Sequence, residues 1–166
     1  MQVRTLFFAK ADIYNVIRSV GGEWNDSKER PLVCCFQSLE NPKLYYAIPI
    51  GNFNHRTPQA IARINSYISR DPSDISSCYY HIGNTDIKSI FFISDVIPIT
   101  DKYFDREYLN KYSNNVQEIK NQVLINDLER KLNRILAYEN GNPNFFRQHI
   151  TDVKAYLINE LNNENN

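Results

Sequence analysis

Two apolar runs, Leu32–Ser38 and Leu44–Ile50, stand on either side of Glu40-Asn41-Pro42-Lys43 and constrain the fold more than any other stretch. Both are rich in strand-forming residues, and the Asn-Pro pair between them favours a turn. So short a connection requires antiparallel pairing, because parallel neighbours need a crossover of a dozen or more residues. Cys78–Ile82 and Ser89–Ile93 repeat the arrangement around Gly83-Asn84-Thr85-Asp86, and Val96–Ile99 and Val3–Ala9 add two further strands. Ile13, Val16, Ile17 and Val20 fall at helical spacing before Gly21-Gly22. Ile61, Ile64 and Ile68 give a second apolar face behind a Thr57-Pro58 start signal, and that helix stops before Asp71-Pro72.

From about Asp105 the pattern is helical, with stripes at Leu128, Leu132, Ile135 and at Phe146, Ile150, Val153, Leu157. Asn142-Pro143 is the expected start of the last helix, and Asn162–Asn166 a frayed tail. Strands first and helices last predict an α+β fold on an antiparallel sheet. The 166 residues fit one domain, 1–166, with 1–100 mainly sheet plus two helices and 101–161 helical.

No apolar run approaches a membrane span, and Met1-Gln2-Val3-Arg4 does not begin a signal peptide. Three cysteines, two of them adjacent (Cys34, Cys35), give no disulfide framework. The expectation is a soluble, cytoplasmic protein. Its formal net charge is zero, yet residues 1–70 carry nine Lys and Arg against five Asp and Glu. That excludes a sequence-blind polycation and leaves room for a local basic groove.

GxGxxG, Walker A, GxSxG and HExxH patterns are all absent. His55, His81 and His149 lie far apart, without metal-ligand spacing, so neither metal nor cofactor is expected. Asp71 and Asp74 resemble a Mg²⁺ pair but flank Pro72, where turn chemistry accounts for them. Cys34 and Cys35 sit in an apolar strand and read as packing.

The segment Gly51-Asn52-Phe53-Asn54-His55-Arg56-Thr57 places amide, imidazole, guanidinium and hydroxyl groups between a strand and a helix N-terminus. Arg can clamp a phosphate bidentately, Asn and Thr can donate to it, and an imidazole of intrinsic pKa about 6.5 can move protons. Asn-rich loop filler with a Thr57 cap is the alternative. Because the hairpin strands are antiparallel, Arg30 at the start of one should lie beside the 51–57 loop at the end of the other. Pro31 makes Arg30 extended. Trp24 and Phe53 flank the same end and could stack on bases or simply pack.

In order and spacing, these features resemble the ToxN/AbiQ family, the endoribonuclease toxins of type III toxin–antitoxin systems, closest to its CptN/TenpN branch. The resemblance runs from about Val3 to Leu157. Arg30-Pro31-Leu32-Val33 is similar to the family's basic-Pro-apolar lead into the hairpin, and Tyr45-Tyr46-Ala47-Ile48-Pro49-Ile50 to its Tyr-x-x-Pro-Leu strand. Ile97-Pro98-Ile99 matches a second Pro-containing strand, and Asn144-Phe145 resembles the Cys-Asn-Phe that opens the final helix. The family's Thr-Ser-Pro-Lys is replaced by Gly51-Asn52-Phe53-Asn54-His55, so either His55 or Arg56 stands for its lysine.

The resemblance implies a strongly twisted antiparallel sheet or partial barrel with surrounding helices, similar to the MazF/Kid toxins. It further implies metal-independent RNA cleavage and inhibition by a repetitive, pseudoknotted antitoxin RNA in a closed 2:2 or 3:3 protein–RNA ring. The expected reaction is attack of a ribose 2′-OH on the adjacent phosphate of target mRNA. His55 is assigned as acid or base, Arg30 and Arg56 as phosphate stabilisers, and Asn52 and Thr57 as orienting donors. Lys28, Phe53, Asn54 and Arg63 are the expected RNA contacts. A non-catalytic RNA-binding module with the same groove is the alternative.

Overall fold

The computed structural model describes residues 1–165. The strands are β1 (Leu6–Ala9), β2 (Leu32–Gln37), β3 (Tyr45–Asn52), β4 (Tyr80–Asn84), β5 (Lys88–Phe92), β6 (Ile97–Ile99) and β7 (Phe104–Glu107). The helices are α1 (Asp12–Ser19), α2 (Pro58–Ile68), α3 (Gln122–Gly141) and α4 (Ile150–Glu164). All strand pairs are antiparallel, in the order β4-β5-β3-β2-β1-β7. β4 and β7 end the sheet without pairing to each other, so it is open.

β3 organises the molecule. One edge holds β2, with Leu32 opposite Pro49 and Val33 opposite Ile48. The other edge is divided between β6, facing Tyr45, Tyr46 and Ala47, and β5, facing Ile50, Gly51 and Asn52. The chain passes from β5 to β6 through a single 3₁₀ turn, Ile93–Asp95. Pro49, with no N–H to donate, sits at that interruption.

Both sheet faces are covered, which explains why β2 and β3 read as nearly continuous apolar runs. Leu32, Cys34, Tyr45 and Ala47 pack with Ile13 and Ile17 of α1 and Val153 and Leu157 of α4. Val33, Cys35, Tyr46, Ile48 and Ile50 pack against Leu124, Ile125, Leu128, Leu132 and Ile135 of α3. Each such aliphatic contributes about 1.5–3 kcal/mol on burial. A smaller cluster joins Ile64 of α2 to Ile90 and Phe92 of β5. The three cysteines are free and buried. Burial pushes the Cys34 thiol well up and that of Cys35 to about 12, so both stay protonated and pack.

Several boundaries differ from the sequence expectation. β4 runs Tyr80–Asn84 rather than Cys78–Ile82, because Cys78 ends a 3₁₀ turn and Gly83 and Asn84 stay paired to β5, which itself ends at Phe92. β1 begins at Leu6, because Arg4 takes a left-handed conformation (φ 66°). Residues 105–121 are not helical. β7 pairs with β1, and the stretch after it folds back so that the Leu6 N–H reaches Gln117 O (2.9 Å) and the Ile119 N–H reaches Arg4 O (2.8 Å). The reason is local: Asn110 Oδ1 accepts the N–H groups of Tyr112 and Ser113, and Asn114 is left-handed (φ 58°). Finally, α4 starts at Ile150 rather than at Asn142-Pro143, because left-handed Asn144 and His149 hold the intervening chain as a loop. α4 continues through Glu164 into the expected tail, whose last residue, Asn166, lies outside the described residues. Among the described residues no helix is long and apolar enough to cross a membrane.

Candidate functional site

The end of the β2–β3 hairpin brings two arginines onto one aromatic ring. The Ile50 N–H donates to Pro31 O (2.9 Å), which fixes Arg30 beside the end of β3. The Arg30 guanidinium lies 4.7 Å from the centroid of Phe92, and that of Arg56 lies 5.1 Å from it. Arg56 is placed by the 3₁₀ turn Phe53–His55, which Asn52 caps by accepting the Asn54 N–H (2.9 Å). The Arg56 N–H closes the turn onto Phe53 O (3.1 Å). Gly51 makes this approach possible: a Cβ there would collide with the Arg56 guanidinium and stand 2.8 Å from the Phe92 ring.

Beside this pair opens a cleft of about 470 Å³. Its walls come from the 24–30 loop, α2, the start of β4, the 93–95 turn and the α3–α4 connection. Lys28, Arg30, Arg63 and Arg147 line it against a single carboxylate, Asp95. Arg147 pairs with Asp95 at 3.2 Å. Among the described residues, Lys28, Arg30, Arg56 and Arg63 form no ion pair. Burial first, and then the Arg56 charge, pull the Arg30 pKa below its ordinary value. A bound anion would relieve that repulsion. The Arg56 Nε is buried without a hydrogen-bond partner, a second mark of uncompensated positive character.

The rest of the lining is aromatic. Trp24 stacks on Tyr14 at 5.2 Å, and Tyr67 stacks on Tyr79 at 5.7 Å. The Arg70 guanidinium lies 4.0 Å from the Tyr67 centroid and that of Arg63 lies 6.0 Å from it. Burial raises the Tyr79 and Tyr80 phenols above their usual values, so at neutral pH both are hydrogen-bond donors. A cationic cleft faced with rings suits a polyanion that also carries flat apolar groups.

Of the residues singled out in the sequence, Lys28, Arg30 and Arg63 line the cleft, and Arg56 joins Arg30 at Phe92. Asn52, Phe53, Asn54, His55 and Thr57 follow the connection from β3 to α2 and do not line it. The exposed His55 has its Nε2 3.4 Å from Asn52 Nδ2. Thr57 Oγ1 accepts the Ala60 N–H (3.2 Å) as the cap of α2. Phe53 lies under the Lys88 ammonium, 3.9 Å from its ring centroid. Asp71 and Asp74 each accept the N–H and hydroxyl of a serine two residues on, Ser73 and Ser76, which is turn chemistry.

Sequence reasoning did not find Phe92, Asp95 or the Phe145-Phe146-Arg147-Gln148 wall. Two aromatics and a cation directly after Asn142-Pro143-Asn144 were the available signal. No protein-family model matches the chain, and no curated protein matches it.

Proposed function

We propose that the protein is an RNA-binding endoribonuclease that works by 2′-OH attack, the toxin of a type III toxin–antitoxin pair like those of the ToxN/AbiQ family. One observation carries this: Arg30, just before β2, and Arg56, just after the turn that ends β3, converge on Phe92, and among the described residues neither forms an ion pair. Such a pair can hold a phosphodiester and stabilise the extra negative charge of a pentacoordinate phosphorus, a role for which one placed donor supplies about 10²–10³ in rate. His55, one residue from Arg56, is the nearest imidazole in sequence to take or return the 2′-OH and 5′-oxygen protons. Asn52 is poised to orient it.

An open antiparallel sheet with helices on both faces is compatible with the MazF/Kid-like arrangement that this reading implies. The partners would be target mRNA and a pseudoknotted antitoxin RNA, closed with the protein into a 2:2 or 3:3 ring. A short tandem nucleotide repeat just upstream of the coding sequence would be the antitoxin's signature.

A long unstructured RNA incubated with the protein in EDTA should be cut to fragments ending in 2′,3′-cyclic phosphate and 5′-OH. Cleavage that EDTA abolishes and Mg²⁺ restores would overturn the mechanism. A non-catalytic RNA-binding module is the second reading, favoured by the position of His55 outside the cleft lining. RNA that binds the protein but survives intact would select it.

A further inference from the structure

The α3–α4 connection, residues 142–149, is held more firmly than an exposed loop needs to be. Asn144 donates its N–H to the buried carboxylate of Glu139 (2.6 Å), which also accepts the Thr151 N–H (3.3 Å) and the Thr151 hydroxyl. Asn144 Oδ1 in turn accepts the Asp152 N–H (3.1 Å). At the other end Gln148, fully buried, donates from Nε2 to Ser94 O and Val96 O, both at 2.8 Å. The Glu23 N–H reaches Arg147 O (2.7 Å), and a Cβ on Gly22 would stand 2.8 Å from Gln148 O, so the 22–24 loop lies directly against this connection.

Between these anchors the chain turns Phe145 outward. The ring is 51% exposed although it lines the cleft, while its neighbour Phe146 is buried. Phe145 meets Phe146 and Tyr138 edge to face at 5.2 and 4.9 Å, so its own position is fixed by packing. An apolar ring fixed in water at the lip of a cationic cleft is a preorganised surface for a flat ligand group.

We infer that Phe145 is a base-stacking platform, and that the RNA which enters the cleft does so as a single strand with an unpaired base on this ring. In a duplex the base faces are occupied by neighbouring pairs, and side chains reach mainly the backbone and 2′-hydroxyls. Only an unstacked base offers a free face to Phe145, while Lys28, Arg30 and Arg63 hold the phosphates. Glu139 acts through the connection as a positioning residue. The assignment rests on the cleft being an RNA site.

The test is fluorescence anisotropy with a short labelled RNA whose riboses are 2′-O-methylated to block cleavage, presented as a single strand and as the duplex with its complement. Wild type should prefer the single strand. Phe145→Ala should weaken single-strand binding by about 5- to 150-fold, the loss of one base stack, with an unchanged dependence on salt because no phosphate contact is lost. Phe145→Trp, which keeps a stacking face, should restore it. Circular dichroism should show both variants folded, with Phe145→Ala melting somewhat below wild type because it loses two edge-to-face contacts, and Phe145→Trp close to it. Equal affinity of Phe145→Ala and wild type, or equal binding of duplex and single strand, overturns the inference while leaving the cleft an RNA site. A wild-type protein that binds neither RNA at low salt overturns the RNA reading itself.

Discussion

Phe92 is the residue on which the site turns. It is nearly buried, packs with Ile64 and Ile90, and presents its ring to the guanidinium groups of both Arg30 and Arg56. Each cation gains from the ring quadrupole, and among the described residues neither forms an ion pair. Because Gly51 leaves room for Arg56 and for the Phe92 ring, Gly51→Ala should displace that guanidinium and press on the ring beneath it, with the sheet kept. Single-turnover cleavage should then fall by about 10²–10³ with an unchanged circular dichroism spectrum. A Gly51→Ala protein of wild-type rate would remove Arg56 from the mechanism. His55 makes a complementary case. If it transfers a proton, His55→Ala should lower the rate by about 10²–10⁴ with RNA binding retained. An unaltered rate would leave the cleft to bind RNA without His55 chemistry.

Among the elements, β4 carries a titrating group, His81, that follows the cleft-lining Tyr80 but does not itself line the cleft. Burial, and after it the Lys131 charge, depress the His81 pKa to about 4, against the opposing pull of Asp127 at 3.8 Å and with Arg130 adding to the depression. The folded protein therefore resists protonating His81 more than the unfolded chain does. Its contribution to stability is complete above about pH 6.5 and is lost as pH falls towards 4. The melting temperature should decline across that window, and His81→Gln, which does not titrate, should flatten the decline. Identical pH profiles for the two proteins would remove His81 as its source.

The elements also show what the sequence could disclose. The β2–β3 hairpin was legible because turn chemistry and apolar runs agree there, and its geometry alone predicted that Arg30 approaches the 51–57 loop. The α3 stripe was equally plain. Residues 105–121 were not: Asn110, Asn114 and Asn115 carried a turn signal that the surrounding helical trend obscured. The α3–α4 connection was missed because its shape depends on Glu139 and Gln148 reaching distant backbone, and no local pattern records such contacts.

On the scale of the whole molecule, net neutrality coexists with a concentrated positive cleft, because most acidic residues sit elsewhere or are paired. Three layers of structure serve that cleft: the hairpin supplies the arginine pair, α2 the Arg63 and Tyr67 wall, and the α3–α4 connection the opposite lip. The central claim is that phosphate chemistry takes place where the two hairpin arginines meet. Single-turnover cleavage of unstructured RNA in EDTA by Arg30→Ala, beside wild type, tests it most directly. The account predicts that wild type produces 2′,3′-cyclic phosphate ends, and that Arg30→Ala cuts about 10²–10³ more slowly at an unchanged melting temperature. RNA left intact by wild type, or cut equally fast by both proteins, would contradict it.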